Sequence, residues 1–153
     1  MRNLYILTTI SILLFCSSVA DAATCTASAK NFSFGNYDVM NAAATTVTGT
    51  SLLSVSCTGG KGTMTVDLST GASGNYFPRA MIYASNANTL AYNLYTTASL
   101  TTVWGNGTGG TGNIVQTFKN KSTTTFDVYG QITAQQNVVP GAYSDSITVT
   151  VSF

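Results

Sequence analysis

The sequence predicts an all-β fold, an immunoglobulin-like sandwich of two packed antiparallel sheets. Three observations lead there. Short segments alternate apolar and polar residues with the period of two that a half-buried strand requires. Gly, Asn, Ser and Thr punctuate these segments, and no long stretch has helical periodicity. Hydrophobic residues make up 44% of the 153 and charged residues only 7%, so the chain is too apolar to stay disordered despite its low charge. That length suits one domain with a real core.

The first 22 residues read as a secretory signal. Arg2 supplies the positive end, Ile6 to Phe15 a short apolar stretch, and Ala20-Asp21-Ala22 a small-x-small cleavage site. A membrane anchor would need about 20 apolar residues, and Ser17-Ser18 interrupts this run well before that. Bulky Phe15 ahead of Cys16 argues against a lipid-modified cysteine. The exported domain is therefore expected to span residues 23–153.

Removing the signal removes Cys16 and leaves Cys25 and Cys57. An even pair in an oxidising compartment is expected to form a disulfide. Closing a loop of about 30 residues stabilises a fold by roughly 3–4 kcal/mol in the chain-entropy model. The alternative is a metal site or a reactive thiol. Two cysteines in a chain without His make poor zinc ligands, and neither has a base partner to activate it.

The strands are read in order from their apolar positions. Phe32 and Phe34 mark the first, Leu53, Val55 and Cys57 the second, Met64, Val66 and Leu68 the third, and Leu90, Tyr92 and Leu94 a later one. Phe126, Val128 and Ile132 continue the pattern around Gly130. After a Pro140-Gly141 turn comes a terminal strand with Ile147, Val149, Val151 and Phe153 on one face and Thr148, Thr150 and Ser152 on the other. No charge follows Asp145, so this strand is unblunted and is expected to need a covering element.

Charge and residue types exclude several functions. A formal net charge of +1 gives no surface for nucleic acid or for steering onto a membrane. The chain has neither His nor Glu, its serines lack a Ser-x-x-Lys pattern, and general acid–base machinery is thin, so no enzyme, catalytic residue, cofactor or metal is expected. Trp104-Gly105-Asn106-Gly107-Thr108-Gly109-Gly110-Thr111-Gly112 lacks the Gly-Lys-Ser/Thr ending of a phosphate loop and reads as a turn. Asp145, at the start of its strand, is expected to accept backbone N–H bonds. Tyr76, Phe77 and Trp104 are candidate adhesive aromatics, with packing of the loop as the competing role for Trp104 and a turn into the core for Tyr76-Phe77. Three Asn-x-Ser/Thr triplets, at Asn31, Asn106 and Asn120, arise readily by chance in such a composition.

Four segments carry a family resemblance: Phe32-Ser33-Phe34-Gly35-Asn36-Tyr37, Tyr92 to Tyr95 followed by Val103-Trp104-Gly105-Asn106-Gly107, Val128 to Ile132, and Pro140-Gly141-Ala142-Tyr143-Ser144-Asp145 leading to Phe153. As an ordered set across nearly the whole exported chain, they resemble the spore coat protein U domain family, which includes subunits of archaic chaperone-usher pili. The resemblance implies a pilin-like sandwich that lacks its final strand. The groove so left would be lined by Phe32, Phe34, Ile147, Val149, Val151 and Phe153. A periplasmic chaperone would fill it first and another pilus subunit's N-terminal extension later, with an outer-membrane usher as the assembly platform. Passage through the periplasm to the cell surface follows, with an unknown surface or carbohydrate as receptor.

Cleavage after Ala22 leaves two residues ahead of Cys25, whereas a donor strand needs about 5 to 6. The expectation is a subunit that accepts a strand without giving one, at a fibre end, with a tip, adhesion or biofilm role. The competing reading is a free-standing secreted sandwich, a coat or carbohydrate-binding protein whose sheet is completed internally.

Overall fold

The computed structural model describes residues 22–40, 43, 45–84 and 87–153, without the side chains of residues 46–51. The expected signal, Arg2 to Asp21 with Cys16, lies outside the described residues. Nine strands are present among the described residues: β1 (Thr24–Ala29), β2 (Thr45–Thr58), β3 (Gly62–Leu68), β4 (Arg79–Tyr83), β5 (Thr89–Tyr95), β6 (Ile114–Phe118), β7 (Ser122–Ile132), β8 (Tyr143–Ser144) and β9 (Val149–Ser152). A single 3-10 turn, Gly71–Ser73, follows β3.

The strands form a six-stranded sheet in the order β1-β2-β7-β5-β4-β8 and a three-stranded sheet in the order β6-β3-β9. Every named pairing is antiparallel. The inward positions of both sheets make one core. Leu53, Val55 and Cys57 of β2 meet Met64, Val66 and Leu68 of β3, Leu90, Tyr92 and Leu94 of β5, and Phe126, Val128 and Ile132 of β7. Alternation is the cause: β3 and β7 bury every second residue toward the core, while β5 buries Asn93 as well, between Tyr92 and Leu94. β2 and β7 slip register between Gly49 and Leu53, which bends the long pair as extra residues in one strand do.

Cys25 and Cys57 lie directly opposite each other in the β1–β2 ladder and are joined as a disulfide, 32 residues apart in sequence. The bridge ties the edge strand β1 to the core strand β2. Without it β1 would hold on by one ladder and mostly exposed side chains.

Two expected strands differ. Phe32 and Phe34 belong to no strand; β1 lies earlier, at Thr24–Ala29, and the chain leaves the ladder after Lys30 N–H donates to Leu52 O. Their rings turn inward against β7, so they alternate because they pack, not because they pair. The terminal strand is likewise split. β8 pairs with β4 in the larger sheet, β9 pairs with β3 in the smaller one, and residues 145–148 cross between them. Ile147, Val149 and Val151 are half-buried while Thr148, Thr150 and Ser152 are exposed, and Phe153 is 55% exposed, edge-on to Phe118 with ring centroids 6.3 Å apart.

Candidate functional site

β1 ends the six-stranded sheet and β9 ends the three-stranded sheet, and the two edges touch. Each is paired on one side only. Next to them lies a groove of about 1210 Å³. One lip is residues 29–39, which follow β1, and the other is residues 138–149, which lead into β9. Its floor is formed by buried core side chains: Leu68, Met81, Leu90, Leu94 and Val128 among others. Among the described residues β8 is laddered to β4 and β9 to β3, while the outer edges of β1 and β9 carry no ladder partner, so an apolar floor lies beside two unpaired strand edges. Such edges are templates for a further strand.

Of the six residues expected to line a groove, Phe32, Phe34, Ile147 and Val149 do line this one. Val151 on β9 and Phe153 just after it lie beyond the lining residues; Val151 is opposite Val66 in the ladder. Phe32 and Phe34 pack edge-on to each other at 4.9 Å between centroids, and Phe34 packs edge-on to Tyr92 at 5.6 Å. Gly130 makes room for them, since a Cβ there would stand 2.6 Å from the Phe32 ring and 2.8 Å from that of Phe34. Tyr37 fastens the same lip by donating to Thr133 O and accepting from Gln136 N–H.

A polar network closes the floor at one side. Arg79, which is 0% exposed, donates to Ser69 O through Nε and Nη2 at 3.0 and 2.8 Å, to Trp104 O at 2.6 Å and to Asn93 Oδ1 at 3.3 Å. Burial lowers the Arg79 pKa, and the carbonyls that accept its protons make the buried cation tolerable. Tyr92 Oη donates to Asp145 Oδ2 at 2.7 Å, while Asp145 Oδ1 accepts from Ala72 N–H at 2.8 Å and Ser146 N–H at 2.7 Å. Burial first, and the Asp145 hydrogen bond second, push the Tyr92 phenol well above its ordinary value. Asp145 thus serves as an acceptor for the backbone, the role its place beside the turn predicts.

Of the two roles weighed for Trp104, the structure supports packing of its loop and corrects the displayed adhesive ring. Trp104 is 0% exposed, its Nε1–H donates to Val66 O at 2.9 Å and its ring packs against Phe126. A loop rich in glycine holds it there: Gly107, Gly109 and Gly110 all have positive φ, which only glycine adopts freely. Tyr76 is half-buried, with its hydroxyl on Leu68 O and the Arg79 guanidinium over its ring. Phe77 is 56% exposed, so of the three aromatics it alone faces water substantially. Sequence reasoning missed Arg79 and Tyr92, whose buried polar roles no local pattern marks. Among the described residues no group of His, Cys, Asp or Glu could hold a metal, and no helix is long and apolar enough to cross a membrane.

Residues 11–150 match the family model of the Spore Coat Protein U domain. No curated protein is similar enough in sequence to count as a relative. Among solved structures, the chain is similar to one from Acinetobacter baumannii, the CsuC–CsuE chaperone–tip adhesion subunit pre-assembly complex of archaic chaperone-usher Csu pili. The two are 20% identical with a TM-score of 0.60; the match covers 86% of this chain and 40% of that one. This likeness concerns the fold.

Proposed function

The chain belongs to the Spore Coat Protein U domain family, and from that premise we propose that it is an exported structural subunit of a chaperone-usher pilus, assembled by donor-strand complementation. One observation carries this reading: two unpaired edges flank an apolar groove between the sheets. An extended segment laid there would satisfy backbone groups on its edges and send alternate side chains onto the floor. The work of such a protein is assembly rather than catalysis, and its partners are a periplasmic chaperone, an usher and neighbouring subunits.

On this reading residues 1–22 are removed on export and residues 23–153 form the pilin-like domain, which passes through the periplasm to the cell surface. With cleavage after Ala22 the subunit accepts a strand without giving one, and so caps a fibre, with adhesion or biofilm formation as the role of that end. N-terminal sequencing of the exported protein tests the cleavage. Long fibres formed by strand exchange from this chain alone would overturn the end position.

The central test is co-expression with a periplasmic chaperone and recovery of the complex, for the wild type, Val149→Asp and Thr148→Asp. Val149 lines the groove and Thr148 is exposed. A charge forced against an apolar partner costs several kcal/mol unless it is paired, so Val149→Asp is expected to abolish recovery and Thr148→Asp to spare it. A wild-type chain that melts cooperatively as a lone monomer and ignores every chaperone and donor strand is a free-standing sandwich.

A further inference from the structure

We propose that Asp145 is a positioning residue for strand capture, holding the crossover 145–148 so that the β9 edge stands in register before a donor arrives. This rests on the strand-capture reading above. The crossover lies between β8 in one sheet and β9 in the other and belongs to neither named strand. A slip of one residue there would turn Ile147 and Val149 out of the groove and Thr148 into it, because side chains alternate with a period of two.

What resists the slip is a set of side-chain bonds. Asp145 ties the crossover to the larger sheet through Tyr92 Oη on β5 and to the turn after β3 through Ala72 N–H. Three residues on, Thr148 N–H donates to Ser69 Oγ at 2.9 Å and Thr148 O accepts from Ser69 N–H at 3.0 Å. Ser69 is fixed in turn by the two donors of Arg79 on its carbonyl. The crossover is therefore clamped at both ends to the turn that follows β3. The fit around Asp145 is close: a Cβ on Gly71, where φ is +69°, would overlap its carboxylate. Every one of these bonds joins residues of the subunit's own chain, which makes the clamp a preorganising device rather than a contact to the incoming strand.

Preorganisation has a kinetic signature. When the binding-competent state is only fractionally populated, apparent affinity falls by that fraction. Asp145→Ala is expected to slow association of a synthetic peptide of alternating Val and Thr by about tenfold, while its dissociation rate stays within about twofold of wild type. Asp145→Asn, which keeps the shape and an oxygen for the two amide donors, is expected to recover most of the rate. Hydrogen exchange on the peptide-free protein supplies a reading independent of any donor: Asp145→Ala should accelerate exchange at Ala72, Ser146 and Thr148. Where Asp145→Ala fails to fold, Tyr92→Phe removes one arm of the clamp and should move the same amides in the same direction. Unchanged exchange in these variants, or a loss of affinity residing wholly in faster dissociation, would overturn the positioning role while leaving strand capture intact. A wild-type protein that takes up no strand peptide at all overturns both.

Discussion

Strands β2, β5 and β7 at the centre of the large sheet and the two lips of the groove share one sequence pattern and live under different physical conditions. Leu53-Ser54-Val55-Ser56-Cys57 is paired on both sides, by β1 and β7, and buries every second residue almost fully. Phe32-Ser33-Phe34 and Ile147-Thr148-Val149 alternate just as strictly, yet their apolar residues are only half-buried and line open space. Alternation reports which side chains face the interior; it does not report whether a strand lies alongside. The closed half of the molecule is held by long ladders and dense packing, whereas the open half has only the short β8 and β9 ladders and a few side-chain bonds from Tyr37, Ser69 and Asp145. On the strand-capture reading proposed above, this division separates what must stay rigid from what must stay accessible.

The largest effect that would sharpen this division is expected at Trp104, deep in the closed half. Trp104→Ala removes a fully buried ring and the hydrogen bond its Nε1–H gives to Val66 O. Truncations of this kind cost about 3–5 kcal/mol. Thermal melting should show the same loss with and without a bound donor, since the site does not line the groove. A loss confined to donor binding would mean that the two halves are not separate. Next comes Cys57→Ser, which opens a bridge closing 32 residues at a cost of about 3–4 kcal/mol. Because β1 is the edge that carries the first lip, this variant should also weaken strand capture, and reduced wild type should match it in denaturant melts. Two free thiols found by mass spectrometry in the oxidised protein would contradict the bridge.

The closed half was legible in the sequence for the same reason that it is rigid. Leu53, Val55, Met64, Val66, Leu90, Tyr92, Phe126 and Val128 sit in uninterrupted alternation, and a period of two follows from strand geometry alone. The cysteine pair was legible by elimination. The lips were read as strands because Phe32 and Phe34 alternate, and pairing is a long-range property that no local pattern carries. Nor does the pattern reveal that residues 145–148 change sheets, since the side chains keep their parity through the crossover. Trp104 was readable in part: a glycine-rich turn around a lone tryptophan allows either a buried anchor or a displayed ring, and only the Val66 carbonyl beneath it decides. Arg79 was invisible because its partners are mostly backbone carbonyls distant in sequence.

Tyr92 bridges the two regions, rooted in β5 and bonded to the crossover through Asp145. Loss of a hydrogen bond to a charged group costs about 1.5–3 kcal/mol, and Tyr92→Phe should fall in that range at neutral pH. Its phenol holds its proton above the ordinary value of 10.0 in the folded state. The stabilisation is then complete below about pH 10, and above it the unfolded chain releases a proton that the folded chain retains, so stability declines as pH rises. Urea melts between neutral and alkaline pH should show a shallower decline for Tyr92→Phe than for wild type, with part of the slope left because burial also raises Tyr95. Equal slopes would mean that Tyr92 is not held in the bonded position.

The smallest effect is expected where the two regions meet, at Gly130 on β7. Gly130 itself is buried in a ladder, but the atoms that an added methyl would meet are the outer edges of the Phe32 and Phe34 rings. In a closed core, overpacking of this kind costs about 1–3 kcal/mol, because every neighbour is fixed. Here the rings have the groove to move into. Gly→Ala at a compatible backbone angle also restricts the unfolded chain, which favours folding by about 0.4–1 kcal/mol and offsets part of the strain. Gly130→Ala should therefore change stability by less than about 1 kcal/mol. The displaced rings would then occupy the groove, so on the proposed reading strand capture should suffer more than stability does. Chemical denaturation beside peptide titration reads both quantities. A stability loss at the top of the overpacking range with capture unaffected would show that the Phe32–Phe34 lip is as tightly held as the centre of the sheet, and the division between closed and open halves would not survive it.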